Sequence, residues 1–126
     1  SGIYSAPMPA LGSITGKLSY PSSFIPSMTV VALNAKTDDY YYVITNENAG
    51  TYQIDNLPPG SYYVVAYPGN DSTYPGGYSQ AMPCGLDASC SDHSLIPVDV
   101  SGQLVTGIDP GDFYAPPGTF PASPVP

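Results

Sequence analysis

Residues Thr51 to Tyr67 read TYQIDNLPPGSYYVVAY, two runs of β-forming residues split by a proline pair and a glycine. Pro58 and Pro59 offer no backbone N–H, so neither can sit in a central hydrogen-bonded ladder, and Gly60 is free to take the positive φ that a sharp reversal often needs. Strand, corner, strand is the expected outcome. The same punctuation recurs along the chain, with 16 Pro and 13 Gly among 126 residues, and helical periodicity is nearly absent.

Strands are expected in GSITGKLSY, with even-numbered positions inward, in MTVVALNA, in YYYVIT and in TYQID, where Tyr52 and Ile54 share a face. SYYVVAY is apolar enough to be buried on both faces if a second layer or a loop covers it. SLIPVDV and QLVTGID, joined at Ser101 and Gly102, read as a closing hairpin. Seven short strands at this spacing predict an all-β, Greek-key β-sandwich. One domain is expected: an extended segment at 1–11, the sandwich at 12–112, and an extended proline-rich tail at 113–126. The 26 residues from Pro68 to His93 show little regular pattern, and a loop of that length is usually functional or pinned.

Two lysines, no arginine and ten carboxylates give a net charge of −8. Such a chain repels phosphate backbones and anionic membrane surfaces, so no nucleic-acid partner is expected. No apolar run approaches the length of a membrane-spanning helix. Cys84 and Cys90 flank GLDAS, and this short ring reads as a disulfide rather than two free thiols, contributing about 2–3 kcal/mol in the chain-entropy view. A disulfide implies an oxidising compartment and hence export. With His93 the two cysteines fall short of the four ligands of a structural zinc site, so neither a metal nor a cofactor is expected.

GSITGKL, VVALNA and AGTYQIDNLPPGSYYVVAY together resemble the carboxypeptidase regulatory-like domain, a prealbumin-like (transthyretin-like) sandwich, over about Gly12 to Asp112. The motif is carried by Gly50, Tyr52, Ile54, Leu57, Pro58, Pro59, Gly60 and Tyr62. GGYSQAMPCGLDASCSDHSLIPVDV and GIDPGDFYAPPG resemble a version found in exported bacterial surface proteins. The resemblance implies an extracellular, non-catalytic module that supports folding, docking or adhesion, with Leu57 and Tyr62 anchoring the NLPPG corner.

The residues offer little to catalysis. Asp92 and the single histidine, His93, are neighbours that point to opposite sides of an extended chain, which denies them the orienting bond of a triad. Asp38 with Asp39, and Asp109 with Asp112, read as solvated turns, because neither pair has the spacing of a calcium loop. Asn70 begins an Asn-Asp-Ser glycosylation acceptor.

The tyrosines are more telling. Tyr40, Tyr41 and Tyr42 occupy both faces of one strand, as do Tyr62 and Tyr63, so some must face away from the core. Tyr40, Tyr41, Tyr42, Tyr63, Tyr74, Tyr78, Phe113, Tyr114 and Phe120 are the candidate interface residues, since aromatic side chains bring large contact area. The expected function is an exported structural or assembly module that associates with copies of itself or with other surface proteins. A carbohydrate-binding module, with tyrosines of the YPGGYSQ loop stacked on sugar rings, is the alternative. Trimming residues 3–11 or 113–126 is expected to weaken assembly more than folding.

Overall fold

A computed structural model describes residues 10–126, so most of the expected N-terminal segment lies outside the described residues. The chain forms an all-β sandwich of two sheets. Strands β1 (Gly12–Lys17), β4 (Thr51–Leu57) and β8 (Leu104–Val105) make a three-stranded sheet in the order β4-β1-β8. The larger sheet runs β3 (Tyr40–Ile44), β2 (Met28–Asn34), β5 (Gly60–Pro68), β6 (Gly76–Gly77), and β7 (Val98–Val100) also pairs with β5.

Alternation decides which side chains fill the space between the sheets. Ile14, Tyr52, Ile54 and Leu57 from the smaller sheet meet Val30, Ala32, Tyr62, Val64 and Ala66 from the larger. The inward parity expected for β1 is present, with Gly12, Ile14 and Gly16 buried. Gly16 is there for space, because a Cβ on it would stand 1.9 Å from the Ile108 carbonyl oxygen. That carbonyl instead accepts the Tyr52 hydroxyl at 2.5 Å, and burial pushes the Tyr52 phenol well above its ordinary value.

The NLPPG corner closes differently from expectation. The positive φ falls on Asn56, at 61°, and not on Gly60. Leu57 precedes a proline and is held in extended backbone, so the left-handed residue moves one place earlier, to an asparagine that tolerates it. Leu57 is fully buried and the Tyr62 hydroxyl donates to the Pro58 carbonyl at 2.6 Å, which folds the new strand back onto its own corner.

The closing hairpin is also corrected. β7 pairs antiparallel with β5, Val100 opposite Gly60, whereas β8 pairs parallel with β1, Leu104 opposite Ser13. The turn at Ser101–Gln103 thus carries the chain from one sheet to the other. The free edge of β1 supplies the reason: its Ser13 N–H finds an acceptor in the Gln103 carbonyl, which a hairpin would have turned away. Among the described residues eight strands form instead of seven, because the Gly76–Gly77 pair becomes β6.

β5 is buried on both faces, as its composition requires. The outer cover is the chain's own C-terminal segment, which adopts no helix and lays Phe120 against Val31, Val65 and Tyr67, flanked by Ala115 and Val125. The Tyr67 hydroxyl donates to the Pro121 carbonyl at 2.7 Å. Removing residues 113–126 would therefore uncover Val31, Val65 and Tyr67, so trimming there is expected to weaken folding as well.

Burial pushes the Tyr67 phenol up to about 12. Since the folded state holds this proton more tightly than the unfolded chain, near 10, its contribution to stability is complete below pH of about 10 and is lost as pH rises through about 12. Denaturant midpoints at stepped pH should fall across that window, and Tyr67→Phe should shrink the fall; an unchanged pH profile in that variant would show that the phenol does not hold the tail.

Candidate functional site

Three places on the molecule gather chemistry-bearing or aromatic side chains: the origin of the C-terminal segment, a groove beside it, and the outer strand β3.

The C-terminal segment starts at the glycine pair of β6. Gly77 and Asp112 exchange backbone hydrogen bonds, each N–H reaching the other's carbonyl at 3.1 Å. A Cβ on Gly76 would meet the Phe113 ring at 2.4 Å, and one on Gly77 would meet the Phe120 ring at 2.7 Å. Successive strand residues face opposite sides, so the segment wraps the sheet edge, with one ring on each face. Phe113 lies on the inner side, edge-on to Tyr20 with centroids 5.3 Å apart, and Phe120 lies on the outer side. Phe120 is thus buried within the molecule, which corrects its reading as an interface residue, while Phe113 is half-buried.

Asp112 itself is fully buried, not a solvated turn. Its Oδ2 accepts the Ser79 hydroxyl and faces His93 Nδ1, both at 2.6 Å, while its Oδ1 accepts the Tyr114 N–H at 3.1 Å. His93 therefore has an orienting carboxylate after all, 19 residues downstream instead of next door. No sequence spacing links positions 93 and 112; only the wrap around β6 brings them together.

A serine, a histidine and an aspartate within hydrogen-bond reach invite comparison with a nucleophilic triad, and the connectivity differs. In a triad the serine bonds the histidine nitrogen that the aspartate leaves free. Here Ser79 and His93 share the same carboxylate oxygen, and Ser79 Oγ is buried, donating to Asp112 and accepting the Ala81 N–H at 3.2 Å. With the carboxylate as acceptor, Nδ1 carries the proton, and the His93 side chain as a whole is 16% exposed. The arrangement clamps three chain segments: the strand exit at Ser79, the loop at His93 and the departing C-terminal segment.

The rest of the long loop is held locally. The disulfide joins Cys84 to Cys90 across the end of a single helical turn, α1 (Ala81–Cys84). Asp71, Asp87 and Asp92 each accept the backbone N–H and the hydroxyl of the Thr or Ser two residues on. Those bonds hold the Asp87 and Asp92 carboxyls below the usual carboxylate range. The Asp-x-Ser/Thr repeat was the readable signal that this loop is ordered. Asn70 is exposed just after β5, Asp38 and Asp39 are exposed, and Asp109 accepts the Lys17 N–H at 2.8 Å. Among the described residues, no group of three or more His, Cys, Asp or Glu is placed to hold a metal, and no helix is long and apolar enough to cross a membrane.

The remaining aromatic candidates divide by face. Tyr41 points inward and meets Tyr62 edge-on at 6.0 Å, and Tyr78 packs against the same core. Tyr40 leans on the outer cluster and stacks with Tyr42, centroids 6.3 Å apart; Tyr63, next to buried Tyr62, is half-buried. Tyr42, Tyr74 and Tyr114 are exposed, at 48%, 63% and 58%. Tyr74 and Tyr114 line one half-open groove of about 750 Å³ between the 72–75 turn and the C-terminal segment, with Ser72, Thr119 and Pro117.

Asp112→Asn should cost about 2 kcal/mol, the usual loss for a buried hydrogen bond to a charged group, and should speed amide exchange at Ser79–Ser94. His93→Ala should cost less, because its ring is partly exposed. Thermal unfolding reads both, and a wild-type midpoint for Asp112→Asn would remove the clamp. Neither a protein-family model nor a curated protein matches the chain, so its likeness to carboxypeptidase regulatory-like domains rests on the motif residues alone.

Proposed function

We propose that this chain is a non-catalytic, exported structural module of the bacterial cell surface, which assembles with copies of itself or docks on other surface proteins. The observation that carries the reading is the surface itself. Among the described residues, seven large apolar side chains, Leu11, Phe24, Tyr42, Ile44, Tyr74, Leu104 and Tyr114, stand between 43% and 63% exposed on a chain with only 10% charged residues. Tyr42 and Ile44 share one face of β3, and Tyr74 and Tyr114 line one groove; grouped exposed apolar area of this kind is what protein interfaces cover. The disulfide fits an oxidising compartment. The serine, histidine and aspartate that come nearest to a catalytic set are engaged as a clamp, which supports the non-catalytic reading. Likeness to carboxypeptidase regulatory-like modules agrees with it.

The full chain is expected to sediment as a dimer or larger species at micromolar concentration, and to shift toward monomer on dilution. A monomer throughout would sink the assembly reading.

A second reading has its own support. The groove holding Tyr74 and Tyr114 has the volume of a small-ligand site, roughly 300–1,000 Å³, with aromatic faces and hydroxyls of the kind that bind sugar rings. Glycan-array binding that disappears in both Tyr74→Ala and Tyr114→Ala would favour it; no binding, or binding unaffected by both changes, would dismiss it.

A further inference from the structure

Among the described residues, nothing pairs with the outer edge of β3, which presents a row of hydrogen-bonding groups. In the β2–β3 ladder, Val30 lies opposite Val43 and Ala32 opposite Tyr41. The bonds from Thr45 N–H to the Met28 carbonyl and from Asn34 N–H to the Asp39 carbonyl fix the phase of that ladder. In an antiparallel pair the bonded positions alternate, so Asp39, Tyr41, Val43 and Thr45 turn their backbone groups toward β2. Tyr40, Tyr42 and Ile44 turn theirs outward, and no strand among the described residues meets them.

Natural edges are blunted by proline, lysine, inward charge or a bulge. The strand YYYVI has no charge and no proline, and its ladder runs without a register shift. β4, the long edge of the other sheet, differs: it carries Asp55 and the left-handed Asn56. The core is also open at β3. Tyr41 and Val43 pack against it, yet both remain only half-buried. On the outer face Tyr42 and Ile44 stand exposed, beyond the reach of the C-terminal segment's cover.

We infer that the β3 edge joins two copies of this chain, antiparallel, with Tyr42 of each opposite Tyr42 of the other. This deepens the assembly reading above and rests on it. The register follows from the free groups. Pairing Tyr42 with Tyr42 sets Tyr40 against Ile44 twice, so every outward N–H and C=O finds a partner, about six new hydrogen bonds in all. The same register brings Tyr40, Tyr42 and Ile44 of both copies into one continuous outer row, the kind of aromatic and β-branched cross-strand contact that stabilises sheets.

Charge selects a second copy in this direction. Across the antiparallel pair Asp39 faces Thr45, Asp38 faces Asn46, and Glu47 faces Thr37, so no carboxylate meets another. Parallel pairing would set Asp38 and Asp39 against themselves, which is destabilising. Each copy carries −8, so added salt strengthens the pairing by screening the overall repulsion.

Cysteine cross-linking and sedimentation test the interface. In Tyr42→Cys the two introduced residues lie with Cα atoms about 5.5 Å apart, within disulfide range, so oxidation should give a covalent dimer. Tyr40→Cys is the control, its two copies about 14 Å apart in this register, and should stay uncoupled. Tyr42→Lys alters an exposed side chain, sets two like charges together, and should weaken self-association about tenfold or more, with a melting temperature that matches the parent's at concentrations low enough for both to be monomers. If the full chain associates but Tyr42→Cys fails to cross-link, or Tyr42→Lys associates as the parent does, the β3 interface is wrong and the assembly reading survives. If the full chain is a monomer at all concentrations and salt levels, this interface and the self-assembly half of the reading above both fall.

Discussion

A strand buried along both faces requires cover on both faces, and β5 imposes that condition on the whole molecule. Val64 and Ala66 look into the sandwich, where the smaller sheet meets them, while Val65 and Tyr67 look out. Loss of outer cover would leave two adjacent strands, β2 and β5, with apolar side chains in water at about 25 cal/mol per Å² exposed. The C-terminal segment answers this with Phe120, Val125 and a carbonyl for Tyr67. At that end of the domain the glycine pair and the buried aspartate guide the segment that delivers those residues to the outer face.

The delivery route explains why the clamp looks like chemistry. A chain that must wrap a sheet edge buries the backbone at the crossing, and its polar groups need partners there. Asp112 sits at the crossing and collects a serine hydroxyl, an imidazole N–H and the Tyr114 N–H. Buried carboxylates persist where several donors converge on them. The geometry is that of a satisfied fastening point, and its serine is the most enclosed of its members' hydroxyls and rings.

Period-two alternation made β1 to β5 legible, because the burial of Ile14, Tyr52, Ile54 and Tyr62 depends only on which side of a strand a residue occupies. Turn position was less legible: the prolines at 58 and 59 announce a corner, but the left-handed residue moved to Asn56 under a restriction that acts backward along the chain. The separation of β7 from β8 was not readable at all. Two short runs with a glycine between them look like a hairpin, and only the unfilled edge of β1 in three dimensions decides otherwise. The same holds for Phe113 and Phe120, whose exposure depends on whether a sheet lies beneath the proline-rich segment. The contact between His93 and Asp112 follows from that segment's path, so it was hidden for the same reason.

The two sides of the larger sheet show how the molecule separates self-cover from surface. The C-terminal segment protects the β5 and β2 side, and at the far side it stops short of β3, where Tyr42 and Ile44 remain open. A proline-rich strap covers a face well but cannot complete a ladder, since proline lacks the donor. Face cover and edge cover are therefore different problems. The chain solves the first within itself. The second calls for a strand with donors and acceptors in register, uncharged at the point of contact, and the β3 sequence of a second copy meets each of those requirements.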